Sequence, residues 1–293
     1  METLATPGKT LAKIKELGLS PRKSRGQNFL IDANIVQKIV KAADICPTDT
    51  VVEIGPGLGA LTQLLAKQAK LVIAIEIDNI LFTALKNIFQ DAGNVNLVHG
   101  DALKVDFDEL VMGFKGDDMG RLPTYKVVAN LPYYITTPLI IHLLTNNFKI
   151  KELVLMVQAE VGYRMLARPG NKDFGSLSVV VQYYTEPEIV VKAPKTTFYP
   201  RPEVDSVVLK LKRRVEPLVD VENEDFFFQV VRAAFNQRRK TLLNALGRLE
   251  IERNYLLEAL KKAGIDPKRR GETLEILDFA NLSNVLYRQL KRR

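Results

Sequence analysis

Cysteine and histidine are nearly absent: Cys46 stands alone, and the two histidines, His99 and His142, lie far apart with no CxxC or HxE partner. A lone cysteine cannot close an internal disulfide. The missing His/Cys cluster argues against a zinc site. It also argues against the zinc deaminases, which act on extruded adenine but need such a cluster. Long apolar runs are missing as well. No stretch approaches the roughly 20 residues that span a bilayer, and residues 1–15 lack the apolar centre of a signal peptide. The expectation is a globular cytosolic protein that works without membrane or metal. No internal repeat or low-complexity tract is visible, and no coiled-coil pattern asks for a dimer, so a monomer is expected.

The 293 residues suffice for one large domain and a smaller companion, and 46% hydrophobic residues can fill their cores. The net charge is +8, and its distribution is uneven. From Phe226 to Arg293 there are fifteen Lys and Arg against seven Asp and Glu, so the last quarter carries the whole excess. A basic region beside a neutral body fits a phosphate-binding module attached to an enzyme, although a solvated helical surface would look similar. Arg232, Arg238, Arg239 and Lys240 are the candidate phosphate contacts.

Apolar runs of strand length alternate with helical patterns, as a doubly wound α/β sheet requires. The runs are 50–54, 71–77, 95–99, the segment Lys126-Val127-Val128-Ala129, then 153–157, 189–191 and 204–211, enough for a seven-stranded sheet. Residues 113–124 read as a surface loop. Phe227, Val230, Val231, Ala234 and Leu242 recur at helical spacing and predict one helix over 225–246 that opens a second domain. After the first run comes Gly55-Pro56-Gly57-Leu58-Gly59, a turn that lets backbone approach a ligand at a helix start. Glu76 follows about 20 residues on, where an acid can hold ribose hydroxyls. Asp101 follows the third run and Asn130 the fourth, so all four positions fall on the carboxyl edge of the sheet. A nucleotide-like ligand is expected there; a dinucleotide-dependent oxidoreductase remains open on the glycine pattern alone.

Asn130-Leu131-Pro132-Tyr133 narrows the chemistry. The lone pair of an exocyclic amine such as N6 of adenine is drawn into the ring, so the nitrogen becomes nucleophilic only when acceptors hold its hydrogens. Asn130 Oδ1 and the Leu131 carbonyl are candidate acceptors. Pro132 stiffens the turn, and Tyr133 offers a face for an extruded base. Taken alone, each feature has a plainer explanation: a strand-to-loop turn with a core tyrosine, or acids that cap helices.

Together, the glycine turn, Glu76, Asp101 and the Asn-Leu-Pro-Tyr turn resemble the S-adenosylmethionine-dependent N6-adenine methyltransferases. Gly26-Gln27-Asn28-Phe29-Leu30 and Phe198-Tyr199-Pro200-Arg201-Pro202-Glu203-Val204-Asp205-Ser206 narrow the resemblance to the ribosomal RNA adenine dimethyltransferases, and within them to the bacterial small-subunit branch. The resemblance implies a Rossmann-like class I methyltransferase fold with a seven-stranded, mostly parallel sheet over 1–212. It also implies a small all-α, basic, RNA-binding domain over 213–293. It assigns Gln27, Asn28, Leu30, Gly55, Gly57, Glu76, Asp101 and Asn130 to S-adenosylmethionine, and Asn130, Leu131, Pro132 and Tyr133 to catalysis. Tyr133 and Phe198 would stack on the two faces of the target base, though Phe198 read alone would simply pack a loop. The implied substrate is a pair of adjacent adenosines in a hairpin loop near the 3′ end of 16S rRNA, in the assembling 30S subunit. Each would become N6,N6-dimethyladenosine by in-line transfer of the sulfonium methyl, with no metal. A 23S rRNA dimethyltransferase of the macrolide-resistance type and a noncatalytic assembly factor are the alternatives.

Overall fold

The computed structural model describes residues 4–19, 27–114 and 122–291. Gly26 and most of the loop expected over 113–124 therefore lie outside the described residues.

Among the described residues nine strands are interspersed with helices: β1 Phe29–Leu30, β2 Thr50–Ile54, β3 Leu71–Glu76, β4 Val95–His99, β5 Tyr125–Asn130, β6 Ile150–Gln158, β7 Thr185–Ala193, β8 Phe198–Tyr199 and β9 Ser206–Arg213. Seven of them form one sheet in the order β4-β3-β2-β5-β6-β9-β7, and β1 pairs with β8 in a separate two-stranded ribbon. From β4 to β6 every pairing is parallel, and β9 runs antiparallel to β6. The central strands β2, β3 and β5 are buried along nearly their whole length because helices cover both faces of a parallel sheet. On one face, Ile35, Val36, Ile39 and Val40 of the helix Ala33–Ala42 pack with Leu61 and Leu65 of the helix Ala60–Leu65 against Val51, Val72, Val128 and Val154. Register then aligns the strand ends, with Ile54 opposite both Ile75 and Ala129, and Glu76 opposite His99. One further hydrogen bond beyond each strand fixes the loop that follows: Gly55 N–H to Ile75 O at 3.0 Å, Gly100 N–H to Glu76 O at 3.1 Å, and Leu131 N–H to Met156 O at 3.1 Å.

The chain divides into two compact units, 1–162 with 187–213, and 163–186 with 214–293. The sequence division at 212/213 assigned 163–186 to the first domain, because its run of apolar residues gives no hint of which core it joins. Within the second unit, Tyr183 and Tyr184 pack on Phe227 and Phe228 with ring centroids 5.2 to 5.7 Å apart. Both tyrosine hydroxyls donate to Glu224 at the start of the helix Glu224–Asn236. The single helix expected over 225–246 is in fact two, Glu224–Asn236 and Leu242–Leu246. Gln237 leaves the helix at φ −131, ψ 70, and Thr241 is extended at ψ 155. The start of the second helix is satisfied from outside, as Leu242 N–H donates to Arg269 O at 2.6 Å and Leu243 N–H to Pro267 O at 3.3 Å. The three cations Arg238, Arg239 and Lys240 thus stand exposed in a turn. Among the described residues no helix is long and apolar enough to cross a membrane.

Candidate active site

A cavity opens at the carboxyl edge of β2, β3, β4 and β5. Its lining includes Gln27, Asn28, Leu30, Gly55, Gly57, Glu76, Asp101, Asn130, Leu131, Pro132 and Tyr133, so the first unit brings together every residue expected for cofactor and amine except the stacking Phe198.

The floor is the glycine turn. Gly55, Gly57 and Gly59 have φ of +68°, +61° and +84°, in the left-handed region that side chains rarely enter. A Cβ on Gly57 would also stand 3.3 Å from the Phe29 ring, and one on Gly59 would stand 2.7 Å from Phe89. Backbone thus forms this wall because nothing larger fits.

Glu76 ends β3 and is 5% exposed. One of its carboxylate oxygens accepts Asp78 N–H at 2.9 Å and the other accepts Gly57 N–H at 3.3 Å, which clamps the glycine turn to the end of the next strand. Burial, with Asp78 nearby, pushes its pKa up against the lowering effect of these backbone donors. Asp78 caps the helix Asn79–Ile88 through Oδ1, and its Oδ2 accepts Gln27 Nε2 at 3.3 Å. Asp101 Oδ1 accepts Leu103 N–H at 3.0 Å. Neither Glu76 nor Asp101 caps a helix: Asp78 caps the one that follows Glu76, and Asp101 closes a turn that ends before the helix Phe107–Phe114 begins. Both Glu76 and Asp101 line the cavity.

Asn130 closes β5. Its Nδ2 donates to Asn28 O at 3.2 Å, and because a carbonyl can only accept, this bond fixes which end of the amide is nitrogen. Oδ1 is then the amide atom left to accept a hydrogen from a ligand. The turn after it is held by Ile135 N–H on Pro132 O at 3.2 Å. Tyr133 is half-buried, its hydroxyl 3.1 Å from Ser206 Oγ, and burial raises its pKa so that it stays a phenol.

Phe198 does not reach the cavity. It is 3% exposed and packs in the core with Leu30, Ile35 and Val36, while β8 pairs with β1. Its apolar ring is worth more buried than at a polar mouth, so the loop-packing explanation describes this conformation.

Several lining residues were not singled out from the sequence. Phe29 lies over Gly57, and Leu4 and Thr10 line the cavity from the N-terminal segment. Ile14 of the helix Pro7–Glu16 packs with Phe29, Leu58 and Leu81. Only the amphipathic pattern of residues 7–16 could have drawn attention to this segment. Beneath the turn, Glu53 is 1% exposed, with Thr62 beside it. Burial pushes its pKa up to about 8 against the lowering effect of the Thr62 hydroxyl and backbone, and the Glu76 charge adds to the rise. Among the described residues no group of three or more His, Cys, Asp or Glu is placed to hold a metal. The candidate RNA residues Arg232, Arg238, Arg239 and Lys240 are all exposed in the second unit, with Arg238 Nη1 donating to Lys172 O at 2.8 Å.

Solved structures place this architecture. A dimethyladenosine transferase from Plasmodium falciparum matches with a TM-score of 0.73 at 29% identity, over 87% of this chain and 95% of that one. The 23S rRNA methyltransferase ErmE matches with a TM-score of 0.64 at 26% identity, over 89% of this chain and 100% of that one. The fold is thus that of a Rossmann-like methyltransferase. Residues 18–288 match the family model described as ribosomal RNA adenine dimethylase, and the chain belongs to that family, an enzyme that methylates adenine in rRNA. Curated relatives named ribosomal RNA small subunit methyltransferase A include one from Moorella thermoacetica, 70% identical over 98% of this chain and 99% of its own. Another, from Pelotomaculum thermopropionicum, is 54% identical over 97% of each.

Proposed function

We propose that the chain binds S-adenosylmethionine in this cavity and dimethylates N6 of two adjacent adenosines in a hairpin loop near the 3′ end of 16S rRNA. The substrate would be the assembling 30S subunit in the cytoplasm, with the enzyme acting as a monomer. The observation that carries the chemistry is the fixed amide of Asn130. Asn28 O takes its nitrogen, so Oδ1 is presented as an acceptor at the strand end beside the glycine turn.

The residues present fit the cofactor. Backbone without side chains at Gly55 and Gly57 suits close approach of its amino acid part, the Glu76 carboxylate suits a ribose diol, and Asp101 suits an adenine amine. When bound, S-adenosylmethionine supplies a methyl group on a sulfonium, already an excellent leaving group. The protein's task is then chiefly alignment. Asn130 Oδ1 and the Leu131 carbonyl would hold the target amine and turn its lone pair outward, and Tyr133 would stack on the base. A neutral amide performs this without burying a second charge. Single-stranded loops, whose bases are already partly unstacked, make extrusion cheap. Arg232, Arg238, Arg239 and Lys240 would grip phosphates.

The relatives at 70% and 54% identity favour the small subunit over the 23S rRNA substrate of ErmE, which is 26% identical. The test incubates the protein with labelled S-adenosylmethionine and unmethylated small subunits, then maps the modified nucleosides by mass spectrometry. Dimethyladenosine at two neighbouring loop positions is expected. Label in large-subunit RNA alone would move the substrate, and no transfer to either would leave an assembly role.

A further inference from the structure

Among the groups lining the cavity, Tyr133 is an aromatic ring whose orientation the backbone does not set. The turn that carries it is held by Leu131 N–H on Met156 O, by Ile135 N–H on Pro132 O, and by Thr136 Oγ1, which donates to Pro132 O at 3.1 Å. These bonds fix the peptide path. They do not fix the two side-chain torsions that set the plane of the ring. That plane matters, because a stacked base takes its tilt from the surface on which it lies.

The far end of the ring is tied down instead. The Tyr133 hydroxyl is 3.1 Å from Ser206 Oγ, and either can donate. Ser206 opens β9, is 1% exposed, and sits in register opposite Gln158 of β6. The preceding residue joins the same corner, since Asp205 O accepts Ala159 N–H at 2.9 Å and Asp205 Oδ1 accepts Lys195 N–H at 2.8 Å. Ser206 is not in the cavity lining. Its Oγ is a fixed point on the antiparallel strand, reached by Tyr133 across β6.

We propose that Ser206 is a positioning residue for methyl transfer: its hydroxyl anchors the far end of the Tyr133 ring and, because a phenol O–H prefers to lie in the ring plane, favours one plane of the ring and so one tilt of the extruded adenine. The inference rests on reading Tyr133 as the stacking wall. A ring that turns freely still excludes water and still leaves the cofactor site whole. It lowers the fraction of bound bases whose amine lines up with the methyl, which is a loss in kcat and not in binding.

The test is a double-mutant cycle on the full-length protein with unmethylated small subunits. Ser206→Ala and Tyr133→Phe should each lower kcat about fivefold, as loss of one neutral hydrogen bond would. Cofactor affinity and half-saturating subunit concentration should stay unchanged, and the double variant should be no slower than either single one. Ser206→Thr, which keeps the hydroxyl, should recover most of the rate. If Ser206→Ala does not fold, Tyr133→Phe and Ser206→Thr still read the same bond. Additive losses of about 25-fold in the double variant would overturn the inference, as would normal kcat in both singles. Tyr133→Ala separates the two ideas. A large loss there beside normal singles leaves the stacking reading standing and removes the tether, whereas near-normal transfer by Tyr133→Ala removes the stacking reading itself.

Discussion

The two units bury different things. In the sheet unit Glu53, Glu76, Asp78, Lys126 and Glu152 are all buried, most of them near strand ends; among the described residues of the helical unit the buried polar ones are Ser178, Thr185 and Ser283. The helical unit keeps its cations outside, among them Arg232, Arg238, Arg239 and Lys240. Burying charge is costly and is tolerated where backbone donors or a ligand can answer it. Surface cations cost little and act over a distance set by salt. The sheet unit should therefore respond to pH and to loss of single acceptors, and the helical unit to ionic strength.

The largest expected effect is on stability. Glu53 has its pKa raised from 4.5 to about 8 in the folded protein. The unfolded chain loses this proton near 4.5 and the native state holds it until about 8, so across that window the native state binds more protons. Stability contributed by the protonated carboxyl is complete below the lower value and is lost as pH rises to the upper one. Glu53→Gln should remove this slope and raise unfolding free energy above pH 8 by roughly 2–4 kcal/mol. Urea unfolding from pH 5 to 9 checks it; an unchanged slope in the variant would place the pH dependence elsewhere.

Next, Asn130→Ala should keep the fold while methyl transfer falls at least about tenfold, or roughly 1.4 kcal/mol of transition-state stabilisation. Cofactor affinity, read by calorimetry, should change much less. Smaller still is the expected effect of replacing Arg238, Arg239 and Lys240 together by Ala. Affinity for small subunits should fall several-fold at low salt, and the slope of log affinity against log salt should flatten by about 2, with cofactor affinity untouched. A flat slope in the wild type would break the comparison at its helical end.

Much of this contrast was legible in the sequence. Six of the seven sheet strands overlap the apolar runs closely, because strands buried on both faces are continuous in Val and Ile. The run at 50–54 coincides with β2 to the residue. The site was legible for the same reason: parallel strands deliver their last residues to one edge, so Glu76, Asp101 and Asn130 could be placed without coordinates. What was hidden depends on contacts distant in chain. The break at Gln237 needs carbonyls from Pro267 and Arg269 to satisfy the next helix, and nothing local announces it. Likewise, residues 163–186 join the helical unit through Tyr183 and Tyr184, whose partners Phe227 and Phe228 lie some forty residues on. Phe198 was placed at the site by resemblance alone, and its own chemistry, an apolar ring beside a buried ribbon, pointed inward.

The division of labour between the units is most directly tested by the single-turnover rate of methyl transfer at saturating small subunits. The triple basic variant is expected to recover nearly the wild-type rate there, and Asn130→Ala to remain at least about tenfold slow. Recovery of Asn130→Ala at saturation, with the basic variant still slow, would contradict the account.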